Sequence, residues 1–364
     1  MNVRLSLAID EEMTNAREDN LIRVPTQIAK DLDIKRGSML CLRCANGNAY
    51  TVTVASVLPP GNRDGTTCYV SRTTFRAINE EDKHTITLGC DPEFALVNTV
   101  GRLVPASLYL NFSDKVGSDG DCGELRPDPG EHEEEVVSNI RDLVKELSSR
   151  ISGWKNNKLY PEAHSYLDRV PIGFHVHLGA PPEILTFAAP GAIQFVKAFT
   201  GVLDYFVGIP AMILEDTPAR RLSPLYGSPS DIRLSGKTIE YRTPGGFYLR
   251  HPDYTRGLLA MTLCVAEDVF MDMADRTDGW RKLAEMNIWQ EMEKTYALPP
   301  RSVVKEAFTS DAKTKAKSLM PTLVQRMQKM QTYSSHAVAV KHFFGLLREN
   351  LQYAPQIIPN WVKG

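Results

Sequence analysis

The chain has 364 residues, 43% of them hydrophobic and 24% charged, with a formal net charge of −2. That is enough chain for two or three domains and a sizeable core, and it carries no basic surplus of the kind that recruits nucleic acid. No signal-peptide pattern opens the sequence and no uncharged apolar run reaches ~18 residues. A cytoplasmic protein with no membrane role is therefore the expectation. Six cysteines do not make a disulfide scaffold in a chain of this length. The C-x-x-C of Cys41 and Cys44 has no second pair at zinc-ribbon spacing, so Cys41 reads as part of the strand-like run MLCLRC.

Residues 1–80 read as a small β-rich unit. VRLSLAI and NAYTVTVASVL alternate as strands do, TQIAKDLD reads as a short helix, and Lys35-Arg36-Gly37 reads as a turn before the next strand. A loop follows at 59–65. The order of strand, short helix, glycine turn and strand resembles the double-psi β-barrel at the N-terminus of AAA-type unfoldases, and is similar to the swapped-hairpin domain of AbrB-type factors. That resemblance implies a docking module for a protein partner. The polar run 78–83 marks the boundary. From residue 84 to about 250, strand-like segments alternate with loops and two helical stretches, near 133–151 and 188–207. The chain is helical from 251 to 364.

GFHVHLG, residues 173–179, puts His175 and His177 on one side of a strand and Phe174, Val176 and Leu178 on the other. Three more segments share this pattern. TLGCDPEFALV pairs Asp91 with Glu93, CGELRP pairs Glu124 with Arg126, and KTIEYRTP pairs Glu240 with Arg242. Four ionisable pairs at i, i+2, backed by mostly apolar neighbours, describe a sheet with one face on helices and the other on a polar cleft. Carboxylates with imidazole suit hard divalent cations such as Mg²⁺ or Mn²⁺, while the rigid fork of arginine suits phosphate and carboxylate groups. A face that mixes the two fits phosphoryl transfer from a nucleotide. The loop EDTPARRLSPLYGSPSDIR adds Arg220, Arg221 and Arg233 around Tyr226-Gly227. Residues 117–121 are neither a Walker A loop nor a GxGxxG, so the P-loop design is excluded.

GCDPEF, DGDCGELRP, GFHVHLG, RRLSPLYGSPSDIR and IEYRTP stand in the order seen in the phage-type carboxylate–amine ligases (COOH-NH2 ligase, type 2), which the chain resembles from about residue 87 to 250. The resemblance places it in the glutamine synthetase and glutamate–cysteine ligase superfamily. It implies an α+β fold: an antiparallel sheet of the glutamine synthetase type in 84–250, helices on its back face, a helical part in 251–364, and the small β-barrel in front. It further implies an ATP-dependent carbon–nitrogen ligase, with Mg²⁺ or Mn²⁺, joining a carboxylate to an amine through an acyl-phosphate. The substrates would be small molecules or peptides and the setting a phage-infected bacterial cell. Asp91, Glu93, Glu124, Glu240 and one imidazole would be metal ligands. Either histidine could fill that role; with His175 in it, His177, Arg126 and Tyr226 would meet the nucleotide. Arg221, Arg233 and Arg242 would act on phosphate and acyl-phosphate. Asp91 stands where glutamate–cysteine ligases carry Glu, a longer ligand.

A His-x-His also serves amidohydrolases and cupins. The later histidines here are only His251, His336 and His342, and Glu183 follows Pro181-Pro182, so neither pattern is completed. The remaining alternative is a phage structural or binding protein on a ligase-like scaffold without turnover.

Overall fold

Contacts divide the chain into two units, residues 1–83 and 84–364. The computed structural model describes residues 6–9, 21–43, 49–58, 67–70, 86–153, 158–222, 226–234, 237–308 and 312–362. Cys44, the loop 59–65 and the linker 78–83 lie outside them.

In the first unit, β1 (Ser6–Ile9), β2 (Leu21–Pro25), β3 (Met39–Arg43), β4 (Ala49–Leu58) and β5 (Thr67–Val70) form one sheet in the order β1-β5-β2-β4-β3. β1 with β5 and β2 with β4 run parallel; the other two pairs are antiparallel. Parallel neighbours need a crossover, and the helix Thr26–Asp31, which leaves β2 directly after Pro25, begins one. Gly37, at φ +86°, makes the turn that returns the chain to β3. Ile22, Val24, Ala29, Val54, Cys68 and Val70 form the core. A barrel would need pairing between β1 and β3, which the described residues do not include.

The second unit is built on an antiparallel sheet. Its strands are β6 (Leu88–Val97), β7 (Leu103–Val104), β8 (Val116–Asp119), β9 (Cys122–Leu125), β10 (Tyr160–Glu162), β13 (Phe174–Gly179), β14 (Ile232–Leu234) and β15 (Thr238–Tyr241), with β11 (Tyr166–Leu167) and β12 (Val170–Pro171) as a separate hairpin. The main path is β14-β15-β13-β6-β9-β8, and β7 and β10 also pair with the ten-residue β6. The period of two divides the faces. Leu88, Cys90, Phe94, Val176, Ile239 and Tyr241 point back into one continuous core with the helices.

Helices supply that back layer. Glu133–Gly153 opens on Glu133, Glu134 and Glu135, which complement its N-terminal dipole, and buries the stripe Val136, Val137, Ile140, Leu143, Val144 and Leu147. The segment Ala192–Leu214 is long and apolar enough to cross a membrane, yet 89% of its most apolar stretch is buried in the protein. It is a core helix, and it is interrupted by a π turn at Asp204–Gly208. Pro252–Arg276 starts with proline in its first turn, and the His251 side chain accepts the Asp253 N–H as its cap.

Candidate active site

Register brings the sequence pairs together. Glu240 on β15 lies opposite Arg233 on β14 and His177 on β13. His175 lies opposite Asp91 on β6, and Glu93 lies opposite Glu124 on β9. An ionisable row therefore crosses five adjacent strands, roughly 19 Å at the usual strand spacing. Its opposite face is the helix-packed core.

At the centre of the row the two histidines differ. His177 Nε2 is 2.8 Å from Asp91 Oδ2, and its Nδ1 is 3.2 Å from Thr238 Oγ1. Burial works against its charge, but the Asp91 carboxylate against Nε2 and the charge of Glu240 outweigh it and raise the pKa. His175 Nδ1 stands 3.5 Å from Glu240 Oε1. Burial, reinforced by Arg220 and Arg242, holds its pKa well below the usual range, so it is a neutral imidazole with a free lone pair.

The acids are buried too. Glu93 Oε2 accepts the Gly173 N–H at 2.5 Å, and burial raises its pKa. Glu124 is pushed up to about 8, first by burial and then by Asp91. Glu240 is fully buried; Arg233 Nε reaches its Oε2 at 2.5 Å. Glu240 Oε1 and Arg242 Nε lie 3.3 Å apart without hydrogen-bond geometry, two buried polar atoms left unsatisfied. Two carboxylates facing each other in register, each destabilised by burial, beside an unsatisfied carboxylate oxygen and a neutral imidazole, are a donor set that suits a hard divalent cation. As the side chains stand, no three such groups among the described residues converge on one point. Arginines neutralise them instead: Arg126 pairs with Glu124, and Arg233 and Arg242 with Glu240.

The arginines sort themselves by what holds them. The Arg233 side chain is 57% exposed and can reach a ligand. Arg242 lies over the Tyr226 ring at 5.0 Å and 3.7 Å from Asp231. Arg126 is tied down: its guanidinium donates to the Asp114 and Ser118 carbonyls and sits 5.4 Å from the Phe112 ring, which leaves it little capacity for a nucleotide. Arg221, expected at the phosphates, is placed elsewhere. It is buried against Glu215, which also accepts the Gly245 N–H. Its neighbour Arg220 takes the place beside the row. Arg220 donates to the Thr243 and Arg242 carbonyls at 2.8 Å, and a Cβ on Gly173 would lie 2.9 Å from its Nη2. Gly227, at φ +74°, passes so close that a Cβ there would collide with the same guanidinium. Both arginines belong to the helical turn Ala219–Leu222, where successive residues point about 100° apart, so only one can face the sheet. The dipeptide carries no signal for which.

A cavity of about 340 Å³ lies on the other side of β14, lined by Ile232, Lys197, Asp204, Ser230, Trp289 and Arg301. It is not part of the row.

Comparison with solved structures gives matches at low similarity. A bifunctional glutathione synthetase from Pasteurella multocida aligns at TM-score 0.36 and 12% identity, over 73% of this chain and 56% of that one. This chain thus spans little more than half of that protein's length. GmaS without ligand aligns at 0.40 and 11%, over 73% and 68% of the two chains, and a GmaS/ADP complex at 0.39 and 11%, over 89% and 94%. No curated protein sequence matches. The family model for phage phiEco32-like COOH.NH2 ligase-type 2 matches residues 88–358, a span that holds the whole row from Asp91 to Arg242, and the chain belongs to that family of carboxylate–amine ligases.

Proposed function

We propose that the polar face of the sheet catalyses ATP-dependent amide or isopeptide bond formation through an acyl-phosphate. The observation that carries this reading is the row itself: buried, mutually opposed Glu93 and Glu124, neutral His175 and Glu240, flanked by Arg233, Arg242 and Arg220. Glu93, Glu124, Glu240 and His175, with Asp91 beside them, would hold Mg²⁺ or Mn²⁺. Bound there, the cations supply charge neutralisation at the β- and γ-phosphates.

The chain's own residues do the rest. Arg233 reaches outward to phosphate oxygens. Arg242, 5.0 Å over the Tyr226 ring, and Arg220, clamped just past the end of β15, keep cationic charge where negative charge accumulates. His177, fixed between Asp91 and Thr238, orients the Asp91 carboxylate beside them. A substrate carboxylate oxygen attacks the γ-phosphorus and ADP leaves. The amine then attacks the acyl carbon and phosphate leaves, with one proton released overall. Residues 1–83 we assign to docking a protein partner, in the cytoplasm of a phage-infected bacterium, a setting the family's phage description supports.

Calorimetry with Mg-ATP, followed by phosphate release against a panel of amino acids and peptides, tests the reading. Binding with release that needs both an acid and an amine is expected. Binding without turnover would leave a binding protein on a ligase scaffold, and no Mg-ATP binding at all would overturn the proposal.

A further inference from the structure

We infer that Asp204, on the helical side of the sheet, is a positioning residue for the arginines of the candidate active site, an inference that rests on the nucleotide-binding reading above. Asp204 opens the π turn Asp204–Gly208 and is 2% exposed. π turns interrupt helices at a local energetic disadvantage and recur at functional sites. Here the extra residue sets a carboxylate under the edge of the sheet. Its Oδ2 accepts the Ser230 hydroxyl at 2.8 Å and its Oδ1 accepts the Tyr241 hydroxyl at 3.0 Å, while the Thr243 hydroxyl, 3.5 Å from the same oxygen, lies nearer the Ser228 carbonyl at 3.2 Å. The two firm donors come from two separate limbs, the turn 226–231 and the end of β15.

Both limbs carry arginine contacts. Next to Ser230, Asp231 accepts the Gly227 N–H at 2.7 Å, its backbone carbonyl accepts the Arg242 N–H at 3.0 Å, and its carboxylate faces the Arg242 guanidinium. Next to Tyr241 and Thr243, the carbonyls of Arg242 and Thr243 hold Arg220. Tyr226, at the head of the turn, stacks on Arg242. Ser230 itself sits at φ +65°, a conformation costly for a residue with a Cβ, and Asp204 accepts both its hydroxyl and its backbone N–H. One buried carboxylate thus ties together the turn and the strand end that carry Arg242 and the carbonyls holding Arg220.

Asp268 is the internal control. It is also buried, its carboxyl is likewise pushed up by burial to about 6, and it accepts a tyrosine hydroxyl, from Tyr296 at 3.1 Å, together with the Gln331 N–H. Its partners lie among the helices and touch no residue of the row. A purely structural role for Asp204 makes the two acids equivalent.

The experiment measures Mg-ATP affinity, melting temperature and amide hydrogen exchange in the full chain for Asp204→Asn, Ser230→Ala and Asp268→Asn. Asp204→Asn and Ser230→Ala are expected to weaken Mg-ATP binding about tenfold to a hundredfold, the scale of misplacing a positioned group, and to speed exchange at 226–231. Asp268→Asn should lower the melting temperature while leaving affinity within about twofold. Ser230→Ala, at the tip of a surface turn, decides the matter if Asp204→Asn does not fold. Wild-type affinity in both site variants, or faster exchange with unchanged affinity, overturns the inference. If the wild-type protein binds no Mg-ATP, the ligase reading falls, and exchange at 226–231 alone decides whether Asp204 holds the turn.

Discussion

His336 lies between Glu133, 3.2 Å from its Nδ1, and Glu267, 2.9 Å from its Nε2, joining three helices of the 84–364 unit. Burial works against its charge, yet the two hydrogen-bonded carboxylates hold its pKa up to about 9. Here an opposite charge faces each nitrogen of a buried ion. Across the sheet, Glu93 faces Glu124 in register, Glu240 keeps an unsatisfied oxygen, and burial raises both Glu93 and Glu124. The two clusters lie at similar depth but differ in how they are closed. In the first, both nitrogens of the ion have hydrogen-bonded partners. In the second, arginines balance the charge yet Glu240 Oε1 and Arg242 Nε stay without hydrogen bonds, and on the proposed function a cation and a polyphosphate would complete them.

The largest way to separate them is His336→Ala. It leaves the buried Glu133 and the half-buried Glu267 without their cation, an expected loss of about 3 kcal/mol in denaturant unfolding, with Mg-ATP affinity unchanged. A parallel loss of nucleotide binding would show that the helical cluster and the row are one system. The wild-type triad also predicts a pH effect. Its stabilisation is fully present below about 6.5, the unfolded value for histidine, and is lost as pH rises through about 9. The His336→Ala protein should lack that alkaline decline.

Next in size is Glu240→Gln. At a hundredfold excess over Kd, Mg-ATP should stabilise the wild-type protein by about 2.7 kcal/mol. The variant should fold and gain none of it in thermal unfolding. A smaller effect of opposite sign is expected at Glu124. Its carboxyl is raised to about 8, so folding favours the protonated form. Stability from this group is greatest below about 4.3 and falls as pH rises toward 8. Glu124→Gln should remove that slope and raise the melting temperature at pH 7 by about 2–4 °C, the shift that ~1 kcal/mol gives, while losing metal-dependent nucleotide binding. A lowered melting temperature would mean that the Arg126 pair outweighs burial.

The smallest effect is expected from removing residues 1–83. Each unit has its own core, and every residue of the row belongs to the second. The shortened protein should bind Mg-ATP within about twofold of the full chain. A folded, soluble remnant that has lost nucleotide binding would place part of the site in the first unit.

What the sequence discloses here follows the reach of its periodicities. A strand's period of two is written in adjacent residues, so Asp91 with Glu93, His175 with His177, and Glu240 with Arg242 announce their shared side without any tertiary knowledge. The amphipathic stripe of Glu133–Gly153 is legible for the same reason. Register is not local, and the opposition of Glu93 to Glu124 appears only once the strands pair. Orientation in the short turn Ala219–Leu222 is decided by tertiary packing, which is why Arg220 lies beside the row and Arg221 against Glu215. Arg126 reads as a ligand because its pattern matches the other pairs, but it stands just past the last residue of β9, where loop carbonyls capture it. Asp204 is invisible in an apolar helix, since the π turn that aims it has no spacing signature.

The register of the row limits how such a face can change over generations. Deleting one residue within β13 would turn His175 and His177 into the core and set Phe174, Val176 and Leu178 against Asp91 and Glu240. A deletion of two keeps the sides but shifts each histidine past its partners by one pair. Insertions and deletions in these strands are therefore closed routes. Variation in substrate choice has to come from point substitutions in the row, or from length changes in the connections between strands, where 180–231 separates β13 from β14 and, beyond the core helix Ala192–Leu214, carries Arg220 and Tyr226.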